Sequence, residues 1–526
     1  MKILPREIFS GLIFLASVIF SAPAVCFSET IFYPLEDDLE RGNWAKAEGA
    51  LRAEPGLKSL LLLYQGEYQE ALKAWGAVKS VRASDARHSA ALGAYLDAMV
   101  QIAKGFTEQN RIGVFELRLA RRDLVLREGA GSALEACRNG VKVWLGAEPP
   151  SPVIVEIYRR KKDFAIASTL GDELLKKSGV IGIAKFARIM LITPEALPFG
   201  YAWEDTLCHE YIHHALKSLG GLDFPLWFQE GMARAHETIW RKGDLEISTG
   251  DKEELLLAAK DGRLVRFARM EPSMVYLKDE EEISLAFTQV ALATRELGPK
   301  LGDLIGLTAA GRPFEKAFEK VYGHSLTAFE EKLWAQWLSE AEQSKIRKKS
   351  GALRTVLSLE SGQEPEKLFL GPKISHLLAL GDQLRIKGKS VAALGLYNQA
   401  REQEPLNPYV LSRIARAYAA SGNREEAAKT AEALIAANPR WPPAYQLQGE
   451  LFEGLGLYRR AIESYQRYFD FNPYYKGLYK RAAFLHIDLG EPLRALVYLE
   501  KALILDPEDQ ECLQAKDSIK NKTVAP

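Results

Sequence analysis

Two histidines one helical turn apart, with a glutamate beside the first, are the residues of this chain best suited to do chemistry. They lie in His209-Glu210-Tyr211-Ile212-His213, an HExxH pattern. On a helix, positions i and i+4 share a face, so the two imidazoles converge on one point. Glu210 sits about 100° round from His209, within reach of a water on a metal ion held by the histidines. Zinc suits such a set: it takes neutral nitrogen ligands, keeps one position open, and with a base nearby makes hydroxide at neutral pH. With eight histidines in 526 residues, a chance HExxH has odds of about one in a hundred. The flanking positions 206, 207, 211, 212 and 215 are uncharged, and no proline interrupts the helix. Glu230 follows His213 by seventeen residues, in Leu226-Trp-Phe-Gln-Glu-Gly-Met-Ala233, and is a candidate third ligand on the next helix. His214 points off the shared face and reads as an outer-shell or packing residue.

These side chains need a frame. Residues 203–219 form the predicted helix, closed by Gly220-Gly221. Ahead of it come a strand at 111–119, a helix at 132–145, and the β-branched run PVIVEIY at 152–158, a second strand. A further apolar run at 181–192 is stopped by Thr193-Pro194. Strands lying before an amphipathic helix form the frame for the residues this helix carries.

On the HExxH, the downstream Glu230, and the segments Pro225, Trp227 and Glu230-Gly231-Met232-Ala233, the region 106–338 resembles the gluzincins. These are HExxH zinc metallopeptidases with a downstream glutamate ligand, and the likeness is to the compact "peptidase MA-like" bacterial group. The closing stretch from Tyr322 to Trp337 belongs to the same resemblance. It implies Zn2+ held by His209, His213 and Glu230, with Glu210 as general base. It further implies a Tyr or His that stabilises an oxyanion, for which Tyr201, Tyr276, His236 and His324 are candidates that spacing does not separate. By the same resemblance, 186–192 is the edge strand that pairs with extended substrate; an ordinary sheet edge is the other reading.

At the other end of the chain, Gly388, Gly422, Gly456 and Gly490 are 34 residues apart, and Ala393, Ala427, Ala461 and Ala495 follow each by five. Pro405, Pro439, Pro473 and Pro507 keep the same register. This resembles the tetratricopeptide repeat, with glycine ending the first helix of each pair, alanine admitting the second, and proline stopping it. Four units cover 374–509, with a cap helix and tail at 510–526. Gly42-Asn-Trp44-Ala-Lys-Ala47 and Gly66-Glu-Tyr68-Gln-Glu-Ala71 suggest irregular, repeat-like helical hairpins over 30–100. Tyr465, Tyr468, Phe469, Phe471, Tyr474, Tyr475 and Tyr479 crowd one inter-repeat junction, and some of them are expected to face solvent or a partner.

The expected fold is therefore an α+β, thermolysin-like zincin core at 105–340, flanked by all-α helical-repeat domains, with a linker at 341–373. Sixty-nine basic and 69 acidic side chains leave no electrostatic footprint for nucleic acid. Four cysteines without a CxxC pair exclude a cysteine-only zinc module. Lys2 and Arg6, the apolar run 8–20, and Ala22-Pro23-Ala24 read as a signal peptide over 1–24. That makes the protein exported, periplasmic or secreted; an uncleaved membrane anchor and a lipoprotein at Cys26 are the alternatives. The expected function is a zinc-dependent peptidase acting on proteins or peptides outside the cytoplasm. Its repeats would dock a protein partner or substrate as a module separable near Gly371-Pro372. The alternative is a catalytically idle scaffold whose repeats mediate protein–protein interaction.

Overall fold

The computed structural model describes residues 57–77, 86–171, 179–220, 224–241, 249–271, 273–344 and 370–524, with a few isolated positions besides. The signal segment 1–24, the hairpin at 42–47, most of the linker 341–373 and the last two residues lie outside the described residues. No described helix is long and apolar enough to cross a membrane.

Among the described residues, three full helices come first: α1 (Leu57–Tyr64), α2 (Tyr68–Gly76) and α3 (Ala86–Ala103). A five-stranded sheet follows, interleaved with helices: β1 (Glu108–Ile112), β2 (Phe115–Leu119), α4 (Arg127–Leu145), β3 (Val153–Tyr158), α5 (Lys161–Ser168), β4 (Gly182–Lys185) and β5 (Arg188–Ile192). Its order is β1-β2-β3-β5-β4. The central strands β2, β3 and β5 are parallel, and the two edges β1 and β4 are antiparallel to their neighbours. A central parallel strand is covered on both faces, which is why β3 is apolar nearly throughout and buried at all six positions. Val153, Val155 and Ile157 face one core, while Tyr158 faces another shared with Leu60, Leu63 and Leu96 of the N-terminal helices. On that second face the buried Glu156 accepts hydrogen bonds from the Tyr68 and Tyr158 hydroxyls at 2.6 Å, with Arg118 at 3.5 Å and Arg188 at 3.7 Å neutralising it.

The expected strand at 111–119 and the apolar run at 181–192 are both hairpins. The run at 111–119 turns at Gly113, and that at 181–192 turns at Phe186-Ala187, both residues at positive φ (58° and 53°). A two-residue turn of this hand usually carries Asn-Gly, so the apolar pair hid it. The consequence is a correction: β5 is internal, and the edge is β4, not 186–192.

Helices α6 (Trp203–Gly220), α7 (Leu226–His236), α8 (Thr249–Lys260), α9 (Glu280–Glu296), α10 (Leu301–Ala309), α11 (Phe314–Tyr322) and α12 (Leu326–Gln343) complete this region. Then come the repeat pairs: α13 (Pro372–Ile386), α14 (Ser390–Gln403), α15 (Pro408–Ala420), α16 (Arg424–Ala437), α17 (Pro442–Gly454), α18 (Tyr458–Phe469), α19 (Lys476–Asp488) and α20 (Pro492–Leu505), with α21 (Gln510–Val524) last. Described residues thus hold five strands and 21 helices, a mostly helical chain in which the α+β description applies to one segment. A five-stranded sheet alone does not identify a thermolysin-like core.

Each repeat glycine at 388, 422, 456 and 490 has φ between 72° and 82°, the left-handed turn that a side chain resists. The alanines at 393, 427, 461 and 495 are wholly buried between helices. Gly381 and Gly449 lie so close to the rings of Tyr397 and Tyr465 that a Cβ would stand 2.3 Å away.

The repeats do not stand apart from the sheet-bearing region. Tyr479, Leu499, Leu505 and Cys512 belong to the same core cluster as Leu207, Trp203 and Val125. Tyr201 N–H donates to the Phe471 carbonyl (3.0 Å), and the Tyr474 hydroxyl meets Thr193 Oγ1 (2.7 Å) and the buried Asp123. Of the crowded aromatics, Tyr465, Tyr468, Phe471, Tyr474 and Tyr479 are buried and Tyr475 is exposed. Most of the excess over inter-repeat packing is therefore covered from within the chain.

Candidate metal centre

Helix α6 opens with Glu204 and Asp205 in its first turn, where acidic groups complement the helix dipole. Its apolar face of Leu207, Tyr211, Ile212, Ala215 and Leu216 is buried against the sheet core. A disulfide between Cys137 and Cys208, with Cα atoms 5.8 Å apart, ties α6 to α4 one residue before His209. That pairing was open at the sequence level, since four scattered cysteines do not reveal partners.

Helix α7 starts after Pro225 and is fixed by aromatic packing, with Trp227 stacked on Phe267 at 4.3 Å between centroids. Gly231 lets α7 approach α9: a Cβ there would lie 2.1 Å from Thr294 Oγ1 and 2.7 Å from the Val290 carbonyl oxygen. The close approach sets where Glu230, one residue earlier, can reach.

These two helices bring His209, His213 and Glu230 together, with donor atoms all within 4.8 Å of one another. The Nε2 atoms of the two histidines are 3.2 Å apart, and Glu230 Oε2 lies 3.5 Å from His209 Nε2 and 3.4 Å from His213 Nε2. A tetrahedral zinc with bonds of about 2.0–2.1 Å sets neighbouring donors about 3.3–3.4 Å apart. Charge-assisted hydrogen bonds between the same groups would close to about 2.7–2.9 Å. The triangle has the size of a coordination face, so these residues fit a zinc ion. Burial opposes ionisation of Glu230, but His213 and His209 beside it outweigh that and hold its carboxyl well below the usual range.

Glu210 is 6% exposed. Its carboxyl is raised above the ordinary range by burial and by the Glu230 charge, partly offset by His209 and His213. β4 passes directly over it: a Cβ on Gly182 would stand 3.0 Å from Glu210 Oε1. The Lys217 ammonium donates to the Ala184 carbonyl on the same strand (2.6 Å).

His214 is buried, its ring pushed down to about 4 by desolvation and by Lys217, and its Nε2 has no hydrogen-bond partner. Of the four oxyanion candidates, Tyr201 is buried and feels the Glu210 charge, which together hold its hydroxyl well above the usual range. Tyr201 donates to the Ile192 carbonyl, His236 Nδ1 faces the Met232 carbonyl (2.9 Å), His324 packs beside Phe318 and Phe329, and Tyr276 is 42% exposed.

Sequence reasoning missed Glu237. Its Oε2 lies 3.2 Å from His209 Nδ1, the arrangement in which an outer carboxylate fixes a ligand imidazole's tautomer and aims its Nε2 lone pair at the metal. The signal was there: Glu237 follows Glu230 by seven residues, two turns on along the same helical face.

Comparison with known proteins concerns the C-terminal region. A tetratricopeptide repeat family profile matches residues 384–451. The heat-shock protein cognate co-chaperone sgt12 of Aspergillus fumigatus is 31% identical over 105 residues, 20% of this chain. The chain spans 31% of the length of that relative. Among solved structures, TTC0263, a thermophilic tetratricopeptide protein of Thermus thermophilus, is 25% identical, covering 29% of this chain and 83% of its own, with a TM-score of 0.24. MamA is 21% identical, covering 27% of this chain and 84% of its own, with a TM-score of 0.25. Residues 384–451 thus carry tetratricopeptide repeats, an architecture of stacked helix pairs that offers a surface to protein partners.

Proposed function

We propose that this protein is a zinc-dependent peptidase acting outside the cytoplasm, with a repeat array that serves a protein partner or substrate. The single observation carrying this reading is the donor triangle of His209, His213 and Glu230, 3.2–3.5 Å on each side with Glu210 beside it. Bound zinc would supply Lewis acidity to a peptide carbonyl and to a water. Glu210, its carboxyl raised by burial, is the base that would accept a proton from water and pass it to the leaving nitrogen. Glu237 keeps His209 in the tautomer that leaves Nε2 free to ligate. The outer edge of β4 offers main-chain groups to an extended substrate, which is recognition with little dependence on sequence. Lys217 donates to the Ala184 carbonyl of that strand. The disulfide beside the HExxH helix and the apolar N-terminal segment both favour an oxidising compartment.

A second reading, a catalytically idle scaffold, is favoured by the family match, which falls on the repeats and not on the HExxH region. Hydrolysis of an unstructured protein such as denatured casein separates the two. The peptidase reading expects cleavage that a chelator abolishes and that Glu210→Gln lacks. Absence of cleavage by the zinc-loaded wild type supports the scaffold.

A further inference from the structure

The link between Asn438 and Trp441, joining α16 to α17 in the repeat array, touches the sheet-bearing region at two places. Trp441 is buried between Tyr409 (5.5 Å between centroids) and Phe199 (6.5 Å). Next to it, Arg440 Nη2 donates to Glu237 Oε1 at 3.1 Å. Glu237 is nearly buried, and its other oxygen, Oε2, faces His209 Nδ1. Arg234, one turn back on α7, shares Oε1.

We propose that Arg440 is a positioning residue of the metal site, acting through Glu237 on His209, so that the tetratricopeptide array supplies part of the outer shell. The proposal rests on the zinc reading of His209, His213 and Glu230. A buried carboxylate is costly unless its charge is met and its oxygens are held. With two guanidiniums on Oε1, the carboxylate is anchored at one end and turns Oε2 towards the imidazole. Without Arg440 the anchor is Arg234 alone, in the last turn of α7, directly before Glu237. Arg440 is one-third exposed, and a partly solvated ion pair adds little to docking. Docking rests instead on Phe471, Tyr474, Leu499 and Leu505. The effect of Arg440 therefore belongs to the geometry of His209. The period of the repeats places it: Arg440 and Tyr474 each follow the repeat proline by one residue, 34 apart, and both reach across to the same region.

The test measures zinc dissociation constants of the full-length protein by chelator competition, with the visible spectrum of the cobalt-substituted form as a second readout. Glu237→Ala is expected to weaken zinc binding about 10–100-fold, and Arg440→Ala about tenfold, the low end of the range for outer-shell partners. Combining them should cost no more than Glu237→Ala alone, because both act through one carboxylate. The cobalt spectrum should shift in each variant, and Arg440→Lys, which keeps the charge but not the planar fork, should fall between. Unchanged zinc affinity in Arg440→Ala, or losses that simply add, would overturn the proposal. Should Arg440→Ala fail to fold, Arg440→Lys carries the same test: weaker binding supports it and wild-type affinity overturns it. A wild type that binds no zinc at all overturns the site reading itself, which is a distinguishable result.

Discussion

At the residue scale the candidate site rests on two helical spacings. His209 and His213 needed only the i, i+4 rule, and α6 presents them as that rule requires, with Nε2 atoms 3.2 Å apart. Glu230 needed one more fact, that the segment after the turn is a second helix; its oxygen closes the triangle. Replacing Glu230 by Gln should therefore weaken zinc binding by at least about tenfold, since a neutral amide is a poor substitute for an anionic oxygen donor. Isothermal titration of the metal-free proteins measures it, and equal affinities would remove Glu230 from the ligand set. Glu237 was legible in principle from its seven-residue step after Glu230. Arg440 was not, because 203 residues separate it from Glu237 and only the folded array brings them together.

At the element scale, what hid from the sequence was turns rather than helices. Helix α6 begins and ends within one residue of its predicted bounds, because its apolar spacing and terminal glycines are local signals. The apolar run at 181–192 conceals the hairpin β4–β5, because Phe186-Ala187 lacks the residues that usually mark a two-residue turn. The edge that the resemblance implies, 186–192, therefore falls on the internal β5, and the true edge is β4, the strand lying over Glu210. The disulfide joining α4 to α6 likewise has no local signature, its cysteines being 71 residues apart. It closes a long loop next to the HExxH helix, so Cys137→Ser combined with Cys208→Ser should lower stability by about 4 kcal/mol in the chain-entropy account. Chemical denaturation of the oxidised wild type and the double variant, both under non-reducing conditions, checks this. Equal midpoints would mean that the helices hold their positions without the bond.

At the scale of the whole molecule, the 34-residue period disclosed the array but not where the array sits. Repeat units contact chiefly their neighbours, which suggested a cut near Gly371-Pro372 that leaves the rest intact. The buried residues say otherwise: Tyr474 meets Asp123 and Thr193, and Leu499 and Leu505 join the core around α6. A fragment of residues 30–371 should consequently aggregate or lose its zinc, since the surface it exposes is large and apolar. Soluble yield and gel filtration decide this, and a monodisperse, zinc-retaining fragment would show the array to be dispensable. The central claim, that one helix pair held by both regions forms a zinc site, is tested most directly by metal analysis of the purified full-length protein beside His213→Ala. The account predicts one zinc per wild-type chain and a large loss in the variant. A wild type without stoichiometric zinc, or a variant that keeps it, would contradict the claim.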